Sequence, residues 1–127
     1  MLLFLAEGFE AYEASAFTDV FGWSRETGIQ SVNLITTGFR PTIKCYWNFI
    51  VKPELPFDQI DINNFDALAI PGGAEDAGFF EDAYDERLLN LIQEFDKQDK
   101  LIASICVAAL PIAKSGVLEN RKQLPGT

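Results

Sequence analysis

Leu101-Ile102-Ala103-Ser104-Ile105-Cys106-Val107-Ala108-Ala109-Leu110 is the stretch on which the fold turns. Its first half is an apolar run short enough for a buried strand, and its second half resumes as an apolar helix, so Cys106 falls on the turn between them. At such a turn the following backbone N–H groups and the positive end of the new helix point toward the side chain. That field favours thiolate over thiol. Ala108 and Ala109 leave room for the helix to approach the strand. The arrangement parallels a nucleophile elbow with sulfur in place of oxygen. Free cysteine is also among the most buried residue types and often serves as a small hydrophobe, so position alone leaves both readings open.

Phe65-Asp66-Ala67-Leu68-Ala69-Ile70-Pro71-Gly72-Gly73 supplies the second strand of the argument. It is apolar until proline and two glycines stop it, and glycine lets backbone amides turn toward a ligand. Two parallel strands then end side by side. The carboxyl ends of such strands are where open α/β sheets bind ligands.

Working outward, Leu2 to Ala6 predicts a buried strand ended by Gly8. Glu10 to Thr27 predicts a helix, with Tyr12, Ala16, Phe17, Val20, Phe21 and Trp23 near helical spacing and Gly28 as its cap. Ser31 to Thr36 predicts the second parallel strand, and Ile43 to Val51 an edge hairpin around Trp47-Asn48. Pro53 to Asp61 reads as a surface connection. A helix opening at Asp82 or Tyr84 and running through Phe95 buries Leu88, Leu89, Leu91 and Ile92. Strand, helix, strand, hairpin, strand, helix, strand, helix predicts a doubly wound α/β fold, a mostly parallel sheet sandwiched by helices.

Three of these segments together resemble the ThiJ/PfpI family, related to the class I glutamine amidotransferases. Leu5 to Glu13 resembles its first strand-to-helix turn, Asp66 to Gly73 its D-x-x-x-x-PGG strand, and Ala103 to Ala109 its cysteine elbow; the likeness continues through Lys114 to Leu118. The resemblance implies a flavodoxin-like domain over residues 1–127 that is incomplete at its C-terminal end. It also assigns site residues, with Cys106 as the nucleophile and Glu13 as a protonated carboxyl beside it that shares and transfers a proton. A carboxyl beside a thiolate does not readily carry charge as well, whereas Glu10 reads as an ordinary first-turn acid. Gly72, Gly73 and the amide of Val107 are the implied oxyanion donors. Glu75 and Asp76 either rim the pocket or are merely solvated, and Cys45 either packs or lies exposed. Relatives commonly form homodimers, and Tyr46, Trp47 and Phe49 suit such an interface, while Tyr46 and Trp47 read equally as core. The chain departs from active relatives in one respect. It contains no histidine, so no imidazole base serves a Cys-His protease mechanism.

Composition bounds the rest. At 127 residues with 48% hydrophobic residues the chain suits one domain covered on both faces. A net charge of −9 argues against nucleic acid and anionic membrane, both of which need clustered basic residues. The two cysteines form neither a disulfide framework nor a zinc site, which suits the cytoplasm. No signal peptide or membrane span is expected, and no metal or cofactor. The expected function is a thiolate-dependent lyase or hydrolase acting on a small electrophile, such as a 2-oxoaldehyde or an isocyanide. The alternatives are an oxidation sensor working through Cys106 and a non-catalytic ligand-binding regulatory domain.

Overall fold

Alternate residues of the first strand face opposite sides of the sheet, and both sides are apolar. Leu2 and Phe4 enter one buried cluster, while Leu3 and Leu5 enter the other. A strand buried on both faces belongs inside a parallel sheet. The computed structural model describes residues 1–28 and 32–119. It places β1 (Leu2–Phe4) at the centre of a five-stranded sheet with β2 (Ile35–Gly38), β5 (Leu55–Pro56), β6 (Ala67–Ile70) and β7 (Leu101–Ser104). The order is β5-β2-β1-β6-β7, and every pairing in it is parallel. β3 (Ile43–Lys44) and β4 (Ile50–Val51) form a separate antiparallel hairpin.

The helices divide between the two faces as the clusters do. Leu88, Ile92 and Phe95 of α3 (Glu86–Lys97) and Ile112 of α4 (Ala109–Lys114) pack with Phe4, Leu68 and Ile70. Ala14 and Phe17 of α1 (Ala11–Glu26), with Ile43 and Cys45 of the hairpin, pack with Leu3, Leu5 and Ala69. This is the doubly wound architecture that the sequence predicts. The chain leaves β1 toward β2 in one direction and β6 toward β7 in the other, so the order reverses between β1 and β6. A crevice at that switch point is where such sheets bind ligands.

Several boundaries differ from the sequence reading. The second strand is shifted to Ile35–Gly38, because pairing with β1 sets its register at Leu2 with Ile35 and Phe4 with Thr37; Ser31 lies outside the described residues. The Pro53 to Asp61 connection contains β5, an edge strand that tolerates Pro56 because its outer side needs no N–H donor. The helix expected from Asp82 or Tyr84 is two helices. Gly78, at φ 88°, starts the short α2 (Phe79–Ala83), and Asp85 in extended backbone breaks the chain before capping α3. In α1 the expected apolar stripe divides. Phe17 and Phe21 are half-buried, whereas Tyr12, Ala16, Val20 and Trp23 face outward, and the buried position is Ala14, outside that stripe. Among the described residues, no helix is long and apolar enough to cross a membrane.

Candidate active site

Cys106 stands at the carboxyl end of β7, one residue beyond Ile105 in extended backbone. Its φ is +57°, a left-handed conformation that L-residues rarely adopt. The chain then makes one 3₁₀ turn over residues 106–108, with the Ala108 N–H donating to the Ile105 carbonyl at 3.2 Å, and passes into α4. Ala108 is fully buried, which is the close approach its small side chain permits. Cys106 itself is exposed. Of the two readings open for this cysteine, the buried hydrophobe is excluded.

Glu13 reaches the same place from the other side of the switch point. It lies in the first turn of α1, and its Oε1 accepts the Gly72 N–H at 2.9 Å. Gly72 is where the two side chains converge. A Cβ added there would lie 2.6 Å from Glu13 Oε1, 3.0 Å from the Ile105 carbonyl oxygen and 3.3 Å from the Cys106 Cβ. An added side chain there would have to displace Glu13.

The walls are held by main-chain bonds. Glu10 N–H donates to the Gly72 carbonyl at 2.8 Å and Ala74 N–H to the Gly8 carbonyl at 3.2 Å, so residues 7–10 and 72–74 are stitched antiparallel. On the far side of that turn, Gly8 N–H donates to the Lys44 carbonyl and Tyr46 N–H to the Phe9 carbonyl, both at 2.8 Å. The Gly72 N–H is thus engaged by Glu13. Gly73 and Val107, the other implied oxyanion donors, have amides outside the described hydrogen-bond network.

The remaining residues singled out in the sequence fall around this centre. Glu10 is the N-cap residue of α1 and makes no side-chain cap bond. Glu75 and Asp76 are exposed, and Asp76 Oδ2 accepts the Tyr46 hydroxyl at 3.2 Å. The charge of Asp76, and then that hydrogen bond, raise the Tyr46 phenol above its ordinary range. Cys45 packs inside the hairpin, with the Phe49 N–H directed at its sulfur at 3.2 Å. Tyr46 is half-buried and meets Trp47 edge to face, whereas Trp47 and Phe49 are about seven-tenths exposed, at 69% and 70%. Among the described residues, no group of three or more His, Cys, Asp or Glu side chains is placed to hold a metal ion.

One cluster was not legible in the sequence. Asp82 is buried, and its carboxylate accepts both terminal nitrogens of Arg40 at 2.7 and 2.8 Å and the Glu7 N–H at 2.8 Å. The bond to Asp82 raises the Arg40 guanidinium further above its ordinary value, although burial opposes it. The two partners are 42 residues apart, and neither carries a motif.

The model of the DJ-1/PfpI family matches residues 1–123. Protein DJ-1 homolog D of Arabidopsis thaliana is 39% identical over 66 residues, covering 52% of this chain and 16% of that protein. Deglycase PH1704 of Pyrococcus horikoshii is 31% identical over 83 residues, covering 65% of this chain and 48% of its own. The crystal structure of Drosophila melanogaster DJ-1beta superposes with a TM-score of 0.74 at 26% identity, covering 91% of this chain and 59% of that one. The chain therefore spans about half of the archaeal relative's length, and less of the plant protein's.

Proposed function

Because the chain belongs to the DJ-1/PfpI family, we propose that it performs cysteine-dependent chemistry on a small electrophilic carbonyl, with Cys106 as nucleophile. One observation carries the reading, the convergence of an exposed cysteine in strained backbone and a carboxyl group on the two sides of Gly72. Strain of this kind is retained where the surrounding structure over-determines it, and it clusters at functional sites. The name deglycase on a relative accords with a carbonyl substrate.

In this reading the Cys106 sulfur adds to the aldehyde carbon of a 2-oxoaldehyde, and the carbonyl π electrons move to oxygen. The amides of Gly73 and Val107 steady that oxygen, and Glu13 delivers the proton it needs. Proton transfer between the two carbons and addition of water then release a 2-hydroxy acid and the thiol. The overall change is hydration and needs no oxidant. A reducing cytoplasm suits the two unpaired cysteines, and the exposed hairpin aromatics suit a homodimer.

The test follows methylglyoxal consumption and the intact mass after mild peroxide. The expected result is aldehyde loss with formation of the 2-hydroxy acid, abolished in Cys106→Ser and in Glu13→Gln. A Cys106→Ser variant as active as the parent would overturn it. A stable gain of two oxygens on Cys106 without turnover would instead establish the sensor reading, which the exposure of this thiol also favours.

A further inference from the structure

We propose that the Arg40–Asp82 pair positions the thiol site, through one buried carboxylate to which both walls around Cys106 and Glu13 are referenced. The proposal rests on the reading of Cys106 as the reactive thiol. Asp82 is 3% exposed, and its three hydrogen bonds come from two directions. One is the backbone N–H of Glu7, the first residue of the turn 7–10 whose Glu10 N–H fixes the Gly72 carbonyl. That is the first wall. The second is reached through α2, the helix that carries Asp82. Its first residue, Phe79, lies directly on the Gly73 backbone, where an added Cβ would stand 2.4 Å from the ring. A shift of Asp82 therefore moves the turn after β1 and the loop after β6 together.

Arg40 is what keeps this carboxylate in place. A buried carboxylate stripped of its partner either takes up a proton or draws in water, and either change releases the groups bound to it. The planar fork of arginine meets both oxygens at once, which lysine cannot do. Arg40 also faces Glu7, whose Oε2 is buried 3.8 Å from Nη1 with no hydrogen-bond partner among the described residues, while Glu7 Oε1 accepts the Lys44 N–H at 3.2 Å. One cation thus serves two carboxylates at the head of the same turn. Arg40 and Asp82 act on the site through Glu7 and α2, so in this proposal they are positioning residues.

The test compares full-length Arg40→Met, Arg40→Lys and the double variant Arg40→Met/Asp82→Asn. Readouts are the iodoacetamide rate at Cys106 by peptide mass, kcat and KM for methylglyoxal, and the melting temperature. Misplacement of reacting groups predicts that Arg40→Met loses on the order of tenfold in the Cys106 rate and in kcat with KM little changed, and that Arg40→Lys recovers part of it. The double variant removes the uncompensated charge, so it regains melting temperature. Continued slow labelling of Cys106 in that refolded double variant is the expected result. Labelling that returns to the parent rate along with the melting temperature would show a pair that serves stability alone and would overturn the proposal. If the parent consumes no aldehyde, the substrate reading fails by itself, and the labelling rates still decide this one.

Discussion

The carboxylate of Glu13 and the N–H of Gly72 meet at 2.9 Å across a separation of 59 residues, on the spot that a Gly72 side chain would fill. The two glycines of the Pro71-Gly72-Gly73 turn are therefore needed for different reasons. At Gly72 the nearest obstacle is the end of a flexible side chain, whereas at Gly73 it is the Phe79 ring at 2.4 Å and the Gly8 carbonyl oxygen at 2.6 Å. Gly73→Ala is expected to destabilise the fold by about 2 kcal/mol through overpacking. Gly72→Ala should cost less stability and displace Glu13 instead. Chemical denaturation with parallel assays checks the contrast. Equal stability losses with activity intact in Gly72→Ala would contradict it.

Cys106 occupies a left-handed conformation that glycine adopts freely. Cys106→Gly and Cys106→Ala both remove the sulfur, so their difference isolates the backbone. The glycine variant should be the more stable by about 1 kcal/mol. Urea midpoints at matched slope measure this, and an alanine variant at least as stable as the glycine variant would show that the elbow is unstrained.

Which parts of this architecture were legible in the sequence depends on how local the governing forces are. The apolar runs of β1 and β6, the Gly28 cap, the hairpin turn at Asn48 and the turn at Cys106 are each decided within a few residues, and each lies where the sequence predicts. The resemblance singled out Glu13 and Gly72, and the fold brings them together. Arg40 and Asp82 were invisible because their pairing depends on how β2 and α2 are placed, not on any local pattern. β5 carries no readable signal because two residues including a proline have little strand propensity, and pairing with β2 alone makes them a strand. The outward side of α1 departs from the sequence expectation because apolar residues occupy both of its faces.

Asp85 caps α3 and also grips the residue two ahead. Its Oδ1 accepts the Arg87 N–H at 2.8 Å, and the Arg87 side chain adds bonds at 3.0 and 2.9 Å. The side-chain hydrogen bond from Arg87 is the largest influence, and it holds the Asp85 carboxyl below its ordinary range. A carboxyl depressed in the folded state contributes stability that is present in full above its unfolded pKa and is lost as pH falls through the folded value. Asp85→Ala should therefore cost about 1 kcal/mol at neutral pH, and the gap to the parent should narrow in acid below the ordinary carboxylate range. Melts at pH 7 and at acid pH test this. A gap that widens in acid would reverse the sign of the argument.

The hairpin tip presents Trp47, Phe49 and Ile50 at 69%, 70% and 69% exposure. Asn48, at φ 79°, turns the chain between the first two. Behind them the hairpin is fixed rather than loose. Cys45 N–H donates to the Phe49 carbonyl at 2.8 Å, and Tyr46 is tied to Phe9 by its backbone and to Asp76 by its hydroxyl. A rigid apolar tip loses little entropy on association, and large aromatics dominate the energy of most interfaces. If a second copy of this chain covers the tip, Trp47→Ser/Phe49→Ser should convert a dimer to a monomer by light scattering. The melting temperature at low protein concentration should be little changed, because these side chains are about seven-tenths exposed. A parent that scatters as a monomer at all concentrations would remove the homodimer. A double variant that stays dimeric would move the interface elsewhere on the molecule.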